Sequence, residues 1–335
     1  MTNGSGAGPV LSVRGLVIDF TGRPGQRALV QDVGFDVSRG QSVALIGESG
    51  CGKTLTSLAV LGLLPPRMRV SAGSIMLGGV DVLSAGERTL RDLRGRTIGA
   101  IFQEPMSSLN PTMTVGDQIG ESRRMHLGES RRTARARAVE LLDRVGIPNA
   151  ATRARAYPHE MSGGMQQRVM IAAAIACEPA IVLADEPTTA LDATVQANIL
   201  KLLEDLRRDL GLGVLLVTHD LGVVADFCAD VVVMYAGHVV ERASAKKLFH
   251  APRHPYTEAL LRAVPQAGHA RTTLNVIPGR VPAGGALPTG CRFRPRCSYA
   301  EPCCAEPQLG AVSDDAHFTF CDRVAAGELV LGSRS

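Results

Sequence analysis

The octapeptide Gly47-Glu48-Ser49-Gly50-Cys51-Gly52-Lys53-Thr54 has the residue types and spacing of a phosphate-binding loop, G-x-x-x-x-G-K-[ST]. Its glycines let successive backbone N–H groups converge on phosphate oxygens, and a helix starting behind them adds positive potential. Lys53 would reach the β- and γ-phosphates, and the Thr54 hydroxyl would ligate Mg²⁺. Such a loop needs a carboxylate at the end of a neighbouring strand. Ile181-Val182-Leu183-Ala184-Asp185 supplies one, and Glu186 follows directly. Asp185 would hold Mg²⁺, and Glu186 is placed to orient or deprotonate an attacking water. Taken singly, a glycine-rich turn and a solvated strand end would explain these residues. Together they point to phosphoryl chemistry.

A second group stands near the end of the chain. CRFRPRCSYAEPCC, residues 291 to 304, and Cys321 carry five of the eight cysteines. Disulfides, a metal and chance are the alternatives. Four thiolates suit either an iron–sulfur cluster or Zn²⁺. Structural zinc draws pairs two to four residues apart, whereas five residues separate Cys291 from Cys297 and six separate Cys297 from Cys304.

The elements that must position these residues follow from the apolar pattern. LSVRGLVIDF and VGFDV read as strands, and SVALIG is an apolar strand running into the phosphate loop. TSLAVLGLL is helix-compatible and stops at Pro65 and Pro66. SSLNPTMT reads as a loop. TARARAVELLDRVGI reads as an amphipathic helix with Val139, Leu142 and Val145 on one face. A helix over about 163–177, the strand AIVLAD, a helix through VQANILKLLEDLRRDL and the strand GVLLVTH complete an α/β alternation. Continuous apolar strands separated by helices argue for a parallel sheet covered on both faces. HAPRHPYTEALLRAV allows one more helix, and NVIPGRVPAGGALPTGC is too rich in Pro and Gly for a core element.

Ser162-Gly163-Gly164-Met165-Gln166-Gln167-Arg168, about 20 residues before Asp185, resembles the signature motif of ATP-binding cassette (ABC) ATPases. Gln103 in IFQEP resembles the family's Q-loop, Ala190-Leu191-Asp192 its D-loop, and His219 in LLVTHD its switch histidine. Phe20 stands where the family has an aromatic that stacks on adenine. The resemblance covers roughly residues 11 to 250. It implies a P-loop NTPase of the ABC cassette type: a RecA-like parallel-sheet core, an antiparallel β subdomain and a helical subdomain at about 105–164. The nucleotide-binding domain would span 11–254, after a disordered leader at 1–10. In this family Ser162, Gly163, Gly164, Met165 and Gln166 would face the γ-phosphate bound to an opposite cassette. Gln103 would add to the Mg²⁺ shell of Thr54 and Asp185 and report its state, and His219 would hold Glu186 and the water in position.

FQEPMSSLNP, SGGMQQRVMIAAAIACEP and ADEPTTALDATVQANIL are similar to the ATPases of the oligopeptide, dipeptide and nickel importer group. His254-Pro255-Tyr256-Thr257, the Pro/Gly stretch and the cysteines resemble that group's irregular C-terminal extension, here 255–335. The resemblance implies two membrane permease subunits, a second ABC ATPase subunit (identical or different), an extracytoplasmic solute-binding protein, and a place on the cytoplasmic face of the membrane. Peptides are the expected solute, with nickel or another small solute as the alternative. The group's tails share the cysteine spacing, which implies a [4Fe–4S] cluster on Cys291, Cys297, Cys304 and Cys321, with Cys304 rather than Cys303, and with zinc as the alternative.

A third reading, a nucleic-acid-directed ABC ATPase with a zinc module, is disfavoured by charge. The net charge of +4 over 335 residues is too small to argue for nucleic acid. The arginines of ESRRMHLGESRRTARAR are expected on the solvated face of the helical subdomain. The apolar stretch MIAAAIACEPAIVLA is broken by Glu178 and Pro179, short of the roughly 20 residues of a membrane helix. MTNGSGAGPV lacks a secretion signal. A cytosolic setting is therefore expected, and it disfavours disulfides.

Overall fold

The computed structural model describes residues 8–21, 28–189, 191–263, 277–282, 287–312 and 316–332. The disordered-leader expectation lies outside these at 1–7, as do Ala190 of the D-loop motif and part of the Pro/Gly stretch.

The described strands are β1 (Leu11–Phe20), β2 (Val30–Val37), β3 (Ser42–Ile46), β4 (Met68–Leu77), β5 (Val80–Asp81) and β6 (Ile98–Ile101). They continue with β7 (Ile181–Asp185), β8 (Gly213–Thr218), β9 (Asp230–Tyr235), β10 (His238–Ser244), β11 (Ala311–Val312) and β12 (Phe318–Thr319). The helices are α1 (Lys53–Val60), α2 (Glu87–Arg96), α3 (Pro105–Ser108), α4 (Val115–Leu127), α5 (Arg131–Arg144) and α6 (Ala150–Arg153). After them come α7 (Gly163–Ala174), α8 (Ala193–Leu210), α9 (Leu221–Phe227), α10 (Ala245–His250), α11 (Pro255–Ala263) and α12 (Asp322–Ala325).

The chain forms two compact units. One comprises Met1–Ser12, Asp36–Gln41 and Met76–Leu216. Its sheet pairs β6 with β7 in parallel, Ile98 opposite Ile181 and Ile101 opposite Ala184. Ile181, Val182, Leu183 and Ala184 are buried, so β7 reads as an unbroken apolar run. Helices α4, α5 and α7 pack against one another. Thr114 caps α4 and Ser130 caps α5, each accepting a backbone N–H three residues on. The buried stripe of α5 is Ala134, Ala138 and Leu142. Of the expected face, Leu142 and Val145 are buried and Val139 is half-buried. Helix α4 begins just past SSLNPTMT, and its arginines obscure it in the sequence. Arg123 pairs with Glu129, and Arg131 with Asp117. Several charges of the Arg-rich stretch are thus met within the unit.

The other unit comprises Val13–Phe35, Ser42–Ile75 and Val217–Ser335. Its sheet runs β11-β12-β10-β9-β3. β3 and β9 are parallel, Val43 opposite Asp230 and Ile46 opposite Val233. Beyond β9 the strands turn antiparallel, and β12 of the tail pairs with β10, Glu241 opposite Thr319. The tail is otherwise irregular, with short turns at Arg294–Arg296 and Pro302–Ala305. Beneath β12, Glu241 and His317 form a 2.7 Å pair that is almost wholly buried. Glu241 also accepts the Arg253 N–H at 2.6 Å. No helix among the described residues is long and apolar enough to cross a membrane.

Candidate functional site

The phosphate loop leaves the end of β3, whose five residues are all buried. Gly47 has φ 149, and a Cβ there would meet the Met234 carbonyl oxygen at 2.2 Å and the Cys51 sulfur at 2.7 Å. Gly52, at φ 106, leads into α1. Only glycine suits either position. The Cys51 N–H bonds the Glu48 carbonyl at 3.3 Å, which closes the turn. Lys53 is 7% exposed. Its ammonium donates to the carbonyls of Gly47 at 2.6 Å and Glu48 at 3.1 Å and lies 3.8 Å from the Cys51 sulfur. The cation therefore points into the loop it belongs to. Burial pushes the Cys51 thiol up, against the pull of Lys53, so it stays a neutral thiol. Ser49, Gly50 and Thr54 are exposed on the rim.

Glu48 is tied down in a way the motif does not foretell. Its N–H donates to the Tyr256 hydroxyl at 2.8 Å. Its carboxylate takes both arms of Arg296, at 2.7 and 3.1 Å. Neither its N–H nor its carboxylate is thus left for a ligand. The available signals were the tyrosine in His254-Pro255-Tyr256-Thr257 and the arginine just before Cys297, neither of which carries a phosphate motif.

In the other unit β7 delivers Asp185, half-buried, and Glu186. Glu186 has φ 46, a left-handed conformation that costs a non-glycine residue about 1–2 kcal/mol. One of its oxygens accepts from Gln103 Nε2 at 2.9 Å and from Thr189 Oγ1 at 2.9 Å. The parallel register of β6 and β7 sets this up, because Ile101 lies opposite Ala184 and each strand ends just before its functional residue. Sequence reasoning names Gln103 and Glu186 separately, and the structure joins them directly. Thr189 was not among the candidates.

Ser162 caps α7, its hydroxyl accepting the Met165 N–H at 3.4 Å. Ser162 and Gly163 are exposed, Gly164 and Met165 half-buried. Gln166 behaves differently. It is 5% exposed and donates to the carbonyls of Pro158 at 2.8 Å and Met161 at 3.3 Å. Its side chain braces the turn before the helix. Asp192 caps α8 through the N–H groups of Thr194 and Val195, at 3.0 and 2.9 Å. His219 is exposed on the turn between β8 and α9, where Asp220 caps the helix. Phe20 is half-buried at the end of β1.

All eight cysteines are free thiols. Cys291, Cys297, Cys304 and Cys321 stand near enough to act on one another's charge. Burial pushes the Cys291 thiol up to about 11, with Cys321 and Cys297 adding to the rise. Burial also raises Cys297, which feels Cys321 and Cys304, and Cys321, which feels Cys304. Cys303 is exposed and couples to Cys304. The Cys291 N–H bonds the Cys304 carbonyl at 2.9 Å, which brings the two segments together. The four thiols therefore lie in one region of the tail. Among the described residues no three His, Cys, Asp or Glu side chains are gathered tightly enough for a single metal ion.

Comparison with known proteins agrees with this arrangement. Residues 30–189 match the ABC transporter family, and residues 240–304 match the oligopeptide/dipeptide transporter C-terminal region. A Brucella melitensis protein named for peptide import and ATP binding is 51% identical over 329 residues, which cover 94% of this chain and 97% of the relative. A second, from Brucella abortus and similarly named, is 48% identical over 300 residues, 90% of each chain. A cassette from Clostridium perfringens, part of an ABC transporter complex, superposes with a TM-score of 0.63 at 26% identity, over 72% of this chain and 91% of its own. A dimeric ATP-binding cassette in a post-hydrolysis state, bound to ADP and Pi, gives 0.62 at 26% identity, over 70% and 98%. With its phosphate loop, strand-end carboxylates and capped signature helix in a P-loop α/β fold, the chain belongs to the ABC transporter family as an ATP-hydrolysing, ATP-binding subunit.

Proposed function

We propose that this subunit powers a peptide importer. The observation that carries the reading is that similarity to relatives named for peptide import runs through the cassette and into the cysteine-bearing tail. The tail is what separates this group from other cassettes. The nucleotide-binding domain then spans 11–254, with its helical part at about 105–164, and the extension 255–335.

In this reading the loop's backbone N–H groups other than that of Glu48, which Tyr256 holds, take the phosphates, and Lys53 leaves its loop carbonyls for the β- and γ-oxygens. Thr54, Asp185 and Gln103 would hold Mg²⁺, which supplies charge neutralisation at the γ-phosphate. Glu186 accepts a proton from the attacking water, and Gln103, already bonded to it, couples its position to events beyond the strand end. His219 steadies the γ-phosphate, and Phe20 stacks on adenine. Ser162, Gly163, Gly164 and Met165 serve an ATP bound to the opposite cassette, and Asp192 shapes the same closed interface. The inward turn of Gln166 supports a bracing role for that residue. A second cassette, two permease subunits and an extracytoplasmic solute-binding protein complete the machine, with this subunit on the cytoplasmic face of the membrane.

Cys291, Cys297, Cys304 and Cys321 would carry a [4Fe–4S] cluster, which supplies a structural crosslink in a segment with little apolar core. The spacing, five residues between Cys291 and Cys297 and six between Cys297 and Cys304, favours the cluster over the closer pairs of structural zinc. Anaerobically purified protein is expected to be brown with about four irons per chain. Colourless protein with one zinc would replace the cluster by a zinc site.

The importer reading is tested with the subunit assembled with its permeases in proteoliposomes. Di- and oligopeptides with their binding protein should stimulate ATP hydrolysis and enter. Stimulation by Ni²⁺ and not by peptides would overturn the peptide assignment.

A further inference from the structure

We propose that Arg296, from the cysteine-bearing tail, is a positioning residue for ATP: it clamps Glu48 and so sets both the shape and the charge of the phosphate loop. The inference rests on the reading of that loop as the ATP site.

Arg296 ends the short turn Arg294–Arg296, and its side chain is only 6% exposed. Each of its five N–H donors has an acceptor. Nε bonds the Pro278 carbonyl at 2.8 Å. Nη1 bonds Glu48 Oε2 at 2.7 Å and the Tyr235 hydroxyl at 3.4 Å. Nη2 bonds Glu48 Oε1 at 3.1 Å and the Ile277 carbonyl at 3.3 Å. Its guanidinium also lies 5.8 Å from the centroid of the Tyr235 ring. A planar fork with two arms on one carboxylate fixes orientation as well as distance, which a lysine ammonium cannot do. So complete a set of partners is not a surface ion pair.

Glu48 is held at every polar group it has. The carboxylate is on Arg296, the N–H on Tyr256, and the carbonyl receives Lys53. Tyr256 cannot move easily to release it. It is fully buried and packs on Tyr235, with centroids 4.6 Å apart, and on Phe293 of the tail at 5.4 Å. Tyr235 in turn closes β9, and the preceding residue, Met234, places its carbonyl against Gly47. The tail thus reaches the loop by two routes, one ionic and one aromatic, and both end on Glu48.

Two consequences follow for a bound triphosphate. Without Arg296, the Glu48 carboxylate would stand as a bare negative charge on a loop built to receive anions. The turn at Glu48, which aims the loop's other N–H groups at the phosphates, would also lose the restraint that fixes its direction. Both effects weaken phosphate binding, and neither touches the groups that handle the attacking water.

The test is calorimetric titration of the full-length chain with Mg-ATP, with Tm measured alongside and kcat and KM for hydrolysis in the assembled complex. Loss of a bidentate charge-assisted contact should make Arg296→Ala bind ATP about tenfold more weakly, raising KM while kcat changes little. Adding Glu48→Gln to Arg296→Ala removes the uncompensated charge and should recover at least part of the affinity. Arg296→Lys should lie between wild type and Arg296→Ala, and it serves if Arg296→Ala does not fold. A merely structural role would lower Tm in all three without recovery in the double variant. The proposal is overturned if folded Arg296→Ala, or Arg296→Lys in its place, binds ATP as wild type does, or if the double variant recovers nothing. Failure of the wild-type chain to bind ATP would instead sink the reading of the loop.

Discussion

Replacing Glu186 by glutamine separates the carboxylate's chemistry from its structural part. In the folded chain one Glu186 oxygen receives Gln103 Nε2 and Thr189 Oγ1, each at 2.9 Å. A glutamine can turn its amide oxygen to the same two donors, so both bonds survive and the left-handed φ of 46 is unchanged. What disappears is the proton acceptor. A positioned general base contributes roughly 10²–10⁴-fold to rate, which is about 2.7–5.5 kcal/mol at about 1.36 kcal/mol per decade. The stability change should stay within about 0.5 kcal/mol, since both of these bonds survive the exchange. Steady-state hydrolysis by the assembled complex at saturating Mg-ATP should therefore fall at least about a hundredfold. ATP affinity and Tm should hold, and the variant should accumulate as a nucleotide-trapped cassette dimer on size exclusion. Turnover within threefold of wild type would refute the reasoning, because no other carboxylate has been assigned the water.

Two further outcomes can be checked on the isolated chain. Gly47→Ala forces a Cβ to within 2.2 Å of the Met234 carbonyl oxygen at φ 149, so unfolding free energy should drop by about 3 kcal/mol in urea melts and nucleotide binding should vanish. Burial pushes His254 down to about 3, and burial with Arg292 nearby does the same to His238. Between about pH 6.5 and about 3 the unfolded chain binds these protons and the folded chain does not, so their stabilising contribution is complete above pH 6.5 and is lost as pH falls. From pH 7 to 5.5 the pair should account for roughly 2 kcal/mol of lost stability. His254→Asn, which can keep the acceptor now serving the Tyr256 N–H, should remove about half of that slope.

The chemistry legible in the chain is the part that runs along consecutive residues. A phosphate loop is eight residues whose backbone must turn within itself, and its glycines and Lys53 are visible because nothing distant defines them. The apolar runs of β3, β7 and β8 are local for the same reason. That locality also has a limit. Leu142 and Val145 of the expected α5 face are buried, but Ala134 and Ala138 are buried with them, and an Arg-rich helix such as α4 hides its few buried positions. Which distant residues meet is set by the fold. Gln103 and Glu186 are 83 positions apart, Glu48 and Arg296 are 248 apart, and β12 joins β10 across the Pro/Gly stretch. Each of those contacts depends on strand register and chain return, and neither property leaves a trace in the composition or spacing of either segment. Glu48 shows the division most plainly: its place in the motif was written in the chain, but the partner that takes its charge was set by the fold.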